Sequence, residues 1–87
     1  MSDEEKIAKG VEECVARVFH KDVEEVAGNH GLRFKEDLNA NSKHYFPIIA
    51  YFEEEYDIYM DYHAFQYAAT TVQSAIDYII EQYKEQA

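Results

Sequence analysis

Ser42-Lys43-His44-Tyr45-Phe46-Pro47-Ile48-Ile49-Ala50-Tyr51-Phe52-Glu53-Glu54-Glu55-Tyr56 sets the architecture of the chain. Tyr45, Ile49, Phe52 and Tyr56 recur in steps of three and four, with Phe46 and Ile48 beside them. That spacing lines one face of an α-helix. Pro47 is the anomaly. In a helix interior proline removes one N–H bond and crowds the preceding turn, whereas near the first turn it is tolerated. The stretch therefore predicts a helix over 42–56 with an irregular or late start.

On its C-terminal side, Ile58, Tyr59, Met60, Tyr62, Phe65 and Tyr67 crowd into a short span. A short helix is expected at Tyr62–Tyr67; the stretch reads either as core with a few exposed rings or, more sharply, as a partner-docking patch. A last helix follows from Thr70 to about Tyr83. Thr70 and Gln73 have capping-box spacing, and Val72, Ile76, Ile79 and Tyr83 form an inward stripe beside Ala75 and Ile80.

On the N-terminal side, His20 to Asn41 is a long connection broken by Gly28, Asn29 and Gly31. Val23 and Val26 suit one helical turn over the core. Leu32, Phe34 and Leu38 alternate with polar residues, but no partner strand is visible, so they read as loop anchors. A first helix spans Asp3 to Phe19. Ser2 and Glu5 have capping-box spacing, and Ile7, Val11, Val15 and Val18 form its stripe beside Cys14 and Phe19. The sum is an all-α, four-helix bundle with three longer helices, one short third helix and a long first loop. One domain spans residues 1–87.

Charge narrows the function. The chain holds 18 acidic against 8 basic residues, a formal charge of -10. Such a surface repels phosphate backbones and anionic membranes, so neither nucleic acid nor membrane insertion is expected. Residues 44–87 hold eight acids and a single cation, Lys84. Cys14 is the lone cysteine, so no internal disulfide forms and a reducing cytoplasm is the expected compartment. It reads as a small core hydrophobe. His20, His30, His44 and His63 fit no metal-ligand spacing. Glu53-Glu54-Glu55 with Asp57 and Asp61 lacks the ligand alternation and glycine of a calcium loop, so it reads as a solvated acidic face. No Cys/His pair, Gly-rich phosphate loop or hydrolase serine motif is present, so no catalytic residue is assigned.

Phe34-Lys35-Glu36-Asp37-Leu38-Asn39-Ala40-Asn41-Ser42 resembles the lead-in to the modified serine of acyl carrier proteins. Asp22–Val26 is similar to that family's loop signature, Phe52–Tyr56 to the end of its second helix, and Thr70–Ile79 to the start of its last helix. The resemblance runs from about Asp3 to Gln82. It departs at Asn41, where the family has Asp, and at Lys43, where it has Leu. His44 and Pro47 stand where acidic residues are usual, and the third-helix region is aromatic instead of acidic.

The resemblance implies a 4'-phosphopantetheine arm on Ser42, flanked by Asn41 and Lys43, whose thiol carries acyl groups as thioesters. A phosphodiester at Ser42 would meet free N–H groups and the positive end of the helix dipole, worth about 0.3–1 kcal/mol at an exposed site. The competing reading of Ser42 from its position alone is a helix N-cap. An acyl chain left in water costs roughly 0.8 kcal/mol per CH2. The family hides it between helices, and Phe46, Ile49, Ala50, Phe65, Ala69 and Ile76 are the expected lining, each of which also reads as ordinary core. The implied partners are a phosphopantetheinyl transferase, and acyltransferases or ketosynthases with basic or aromatic docking patches, met by a monomer. The altered helix and aromatic segment point to a specialised lipid or envelope glycolipid pathway of lipid A type, or a polyketide-type route. The alternative is an unmodified carrier-like interaction module.

Overall fold

The computed structural model describes residues 2–86. Within them the named elements are all helices, in the order α1 (Asp3–Phe19), α2 (Val23–Ala27), α3 (Tyr45–Tyr56), α4 (Tyr62–Ala68) and α5 (Val72–Gln86). Four of these form the expected bundle, and α2 is the single turn foreseen in the long connection. Helix α1 packs on α5, α2 and α3, and α4 closes against α3 and α5.

Local chemistry sets the boundaries. At the start of α1, Ser2 Oγ accepts the Glu5 N–H and Glu5 Oε1 accepts the Ser2 N–H, completing the capping box. Ile7, Val11, Cys14 and Val15 are buried, while Val18 and Phe19 are only partly so. Helix α3 begins late. A 3-10 turn, Ser42–His44, precedes it, closed by the His44 N–H on the Asn41 carbonyl at 3.0 Å. Pro47 supplies the reason. It has no N–H for the Lys43 carbonyl, and its ring crowds that carbonyl, so the first turn tightens.

Two boundaries differ from expectation. Helix α5 is capped by Thr71, whose Oγ1 accepts the Ser74 N–H at 3.0 Å, instead of by Thr70, and it continues to Gln86. Asp61 caps α4 in the same way through the Ala64 N–H at 2.8 Å. Val23 is exposed, so only Val26 secures α2 to the core.

The long loop is seated by its apolar residues. Phe34 and Leu38 are buried and Leu32 packs against the core. The loop also gains one antiparallel bridge, Arg33 to Thr71, with the Phe34 N–H on the Thr70 carbonyl and the Val72 N–H on the Leu32 carbonyl, both at 3.0 Å. The partner for this extended segment is thus the α4–α5 connection, which shows no strand periodicity. His30 ties the loop at a second point, with Nε2 2.6 Å from Glu12 Oε2 on α1 and Nδ1 3.2 Å from Gln73 Oε1 on α5. We expect His30→Ala to lower stability by about 1 kcal/mol, read from the urea midpoint. An unchanged midpoint would show that this clamp carries nothing.

The aromatic segment divides between core and surface. Ile58, Met60 and Phe65 are buried, and Tyr59 and Tyr67 are exposed. Cys14 is inert by its surroundings. Burial pushes its thiol up to about 11, with the Arg17 charge opposing. At pH 8 little of it is thiolate. Native protein should therefore react with thiol reagents far more slowly than denatured protein, and equal rates would place Cys14 at the surface.

Candidate functional site

The segment from Phe34 to Ser42 is a loop tied down by its own hydrogen bonds. The Arg33 carbonyl accepts the Asp37 and Leu38 N–H groups, and the Phe34 carbonyl accepts the Ala40 N–H at 2.8 Å. Asn39 reverses the chain in the left-handed region at φ 55°, which asparagine tolerates better than most residues. Arg33 and Asp37 clamp the turn, with the Asp37 carboxylate accepting the Arg33 side chain at 3.2 Å and the Arg33 N–H at 2.8 Å. Those two bonds hold the Asp37 carboxyl below the usual carboxylate range.

Asn41, not Ser42, caps the helix. Its Oδ1 accepts the Lys43 N–H at 2.9 Å, and its own N–H donates to His44 Nδ1 at 2.9 Å. The His44 ring in turn lies on Phe19, 4.6 Å between centroids. Ser42 contributes its carbonyl to this frame, accepting the Tyr62 hydroxyl of α4 at 2.8 Å. The backbone of Ser42 is thus held from both sides. Its side chain is exposed and takes no part in the cap. The simple capping role is filled by a neighbour, which leaves the Ser42 hydroxyl available. No base activates it as a nucleophile. His44 Nδ1 already accepts a proton donor, the Asn41 N–H.

Lys43 is exposed, a cation at the surface directly after Ser42. From Lys43 to Phe52 there is no carboxylate, and the acids of α3 begin at Glu53. This stretch of chain therefore carries Lys43 as its one formal charge, with no acid to oppose it before Glu53.

The six expected lining residues separate. Ile49, Phe65, Ala69 and Ile76 are buried in the common core. Phe46 and Ala50 are not. Phe46 is 57% exposed and stacks on Tyr62 with centroids 4.4 Å apart, and Ala50 is also exposed. Tyr45 takes the inward position at the start of α3. The next residue is turned roughly 100° away, and Ala50 shares its face four residues on.

A concavity lies elsewhere. A cleft of about 510 Å³ opens between the loop, the start of α3 and the α4–α5 junction. Arg33, Lys35, Tyr45, Gln66, Tyr67 and Ala69 contribute to its wall. Of the expected lining residues only Ala69 is among them. Tyr45 was legible as an inward residue of α3, but its place in a cleft wall depends on how the loop is seated, which periodicity does not carry.

Among the described residues no three His, Cys, Asp or Glu side chains gather as a metal site, and no helix is long and apolar enough to cross a membrane. Neither a scan of protein-family models nor a search of curated proteins finds a match for the chain.

Proposed function

We propose that this chain is an acyl carrier protein, modified on Ser42 by 4'-phosphopantetheine. The observation that carries this reading is an exposed serine hydroxyl, outside the cap, on a backbone fixed by Asn41, His44 and Tyr62. The residues fit the group. The start of the 42–56 helical run offers partial positive charge to a phosphodiester, and Lys43 and His44 add cationic or hydrogen-bonding character beside it. When bound, the group supplies the thiol on which acyl chains travel as thioesters. The protein's own residues present the serine oxygen, hold the turn still and meet partner enzymes.

Those partners are a phosphopantetheinyl transferase and enzymes that accept or elongate the acyl group, with the chain acting as a cytoplasmic monomer. The absence of carboxylates from Lys43 to Phe52, and the stacked Phe46–Tyr62 pair beside Ser42, favour partners that grip aromatic rings over partners that read an acidic helix. That difference supports a specialised lipid or envelope glycolipid route. Turnover by a general fatty-acid ketosynthase as good as that of its usual carrier would count against specialisation.

Incubation with coenzyme A and a broad-specificity transferase tests the reading directly. Mass spectrometry should find one phosphopantetheine adduct on the wild type and none on Ser42→Ala. Lys43 and Asn41 favour a second reading, an unmodified interaction module, and failure to load with several transferases would select it.

A further inference from the structure

Pro47 leaves the turn that carries Ser42 one bond short. A regular helix returns the N–H of residue 47 to the Lys43 carbonyl, and proline has none to give. A helix start that lacks such a bond is the part that frays. The next carbonyl back, that of Ser42, is held from outside its own helix. It accepts the Tyr62 hydroxyl at 2.8 Å.

Tyr62 is itself kept in place. It opens α4, directly after the cap in which Asp61 accepts the Ala64 N–H. Its ring stacks on Phe46, with planes 13° apart and centroids separated by 4.4 Å. Further along α4 the buried Phe65 packs edge-on against Tyr45, 6.0 Å between centroids, and keys α4 to α3. The hydroxyl thus reaches Ser42 from a ring whose backbone and face are both fixed. Burial alone does not account for the stack, because Phe46 is 57% exposed and Tyr62 only half-buried. What the stack does is set one O–H against one carbonyl.

Resting on the carrier reading, we infer that Tyr62 is a positioning residue for the modification of Ser42, supplying from α4 the restraint that Pro47 removes from the turn. In that reaction the Ser42 Oγ–phosphorus bond forms as the pyrophosphate P–O bond of coenzyme A breaks. Adenosine 3',5'-bisphosphate leaves, and the serine proton passes through the transferase to solvent. Tyr62 touches none of these atoms. It acts through the Ser42 backbone, and a displacement of about 1 Å is enough to cost such a step most of its rate.

The test uses the full chain as the varied substrate of a broad-specificity phosphopantetheinyl transferase at saturating coenzyme A, with loading timed by mass spectrometry. Tyr62→Phe keeps the stack and removes the hydroxyl. It should lower kcat about three- to tenfold, the effect of one hydrogen bond, with KM within about twofold of wild type. Tyr83→Phe controls for a merely structural loss. It removes another exposed tyrosine bond between helices, Tyr83 to Asp3 at 3.0 Å, and should leave both constants unchanged. Pro47→Ala restores the missing N–H, and in that background the Tyr62→Phe effect should shrink below about twofold. Wild-type kcat in Tyr62→Phe, an equal fall in Tyr83→Phe, or an undiminished effect in the Pro47→Ala background overturns the inference and leaves the carrier reading intact. Failure of the wild type to load would sink the carrier reading, and the inference with it.

Discussion

Phe34→Ala should lower the unfolding free energy by about 3–5 kcal/mol, the usual cost of emptying a fully buried phenyl site. For a domain of this length the whole margin is about 4–13 kcal/mol, so this one change takes a large share of it. Phe34 is fully buried, packs edge-on against Phe19 at 5.9 Å and stacks on Tyr45 at 5.5 Å. Its backbone is bonded at both ends, to Thr70 and to Ala40. The ring therefore fastens the 34–42 loop to α1, to α3 and to the α4–α5 junction at once. Losing it should also loosen Asn41 and Ser42, seen as faster amide exchange across 34–44 than in α1. Phe34→Leu, which refills much of the space, should recover more than half of the loss. A cost below about 1 kcal/mol for the alanine variant would mean that the loop is not seated where it is described.

The bundle was readable because four segments each carry an apolar stripe that only a common core can bury. Ile7 to Val15, Tyr45 to Tyr56 and Val72 to Ile79 show this most clearly, and their caps announce themselves through Ser2-Glu5 and the threonines before Val72. The site was readable in part. The position of Ser42 ahead of an aromatic helix is a local feature, and local features survive in sequence. Which residue caps the 3-10 turn is decided by a competition between neighbours, and Asn41 takes it over Ser42 because its side chain accepts the Lys43 N–H while its backbone N–H is answered by the His44 ring. Phe46 and Ala50 were misplaced for a similar reason. In a run as apolar as 45–52, periodicity gives the stripe but not its rotation, and the Phe46–Tyr62 stack satisfies an aromatic ring outside the core. The cleft could not be read at all, because it is bounded by residues from three separate elements.

Tyr45→Phe should move stability the other way, raising it by about 1–2 kcal/mol in unmodified protein. The ring contacts with Phe34 and Phe65 are retained, and only the unpaired hydroxyl is removed. A buried donor without a partner costs about 1–3 kcal/mol, and phenylalanine does not incur that cost. The effect should grow at alkaline pH. Burial raises the Tyr45 phenol above its ordinary value, with the neighbouring Tyr62 adding to the shift. Unfolded Tyr45 ionises near pH 10, roughly, while the folded side chain resists. The wild type therefore loses stability as pH rises from that point towards the folded value, and the phenylalanine variant is spared this contribution. Paired urea titrations near neutrality and above pH 10 would show both parts. If the hydroxyl were satisfied in the folded protein, for instance by an ordered water, the substitution would instead cost up to about 1.5 kcal/mol, and Tyr45 would be an ordinary paired core phenol. A gain near neutrality means that the protein gives up stability to keep an unpaired hydroxyl buried beside Phe34 and Phe65.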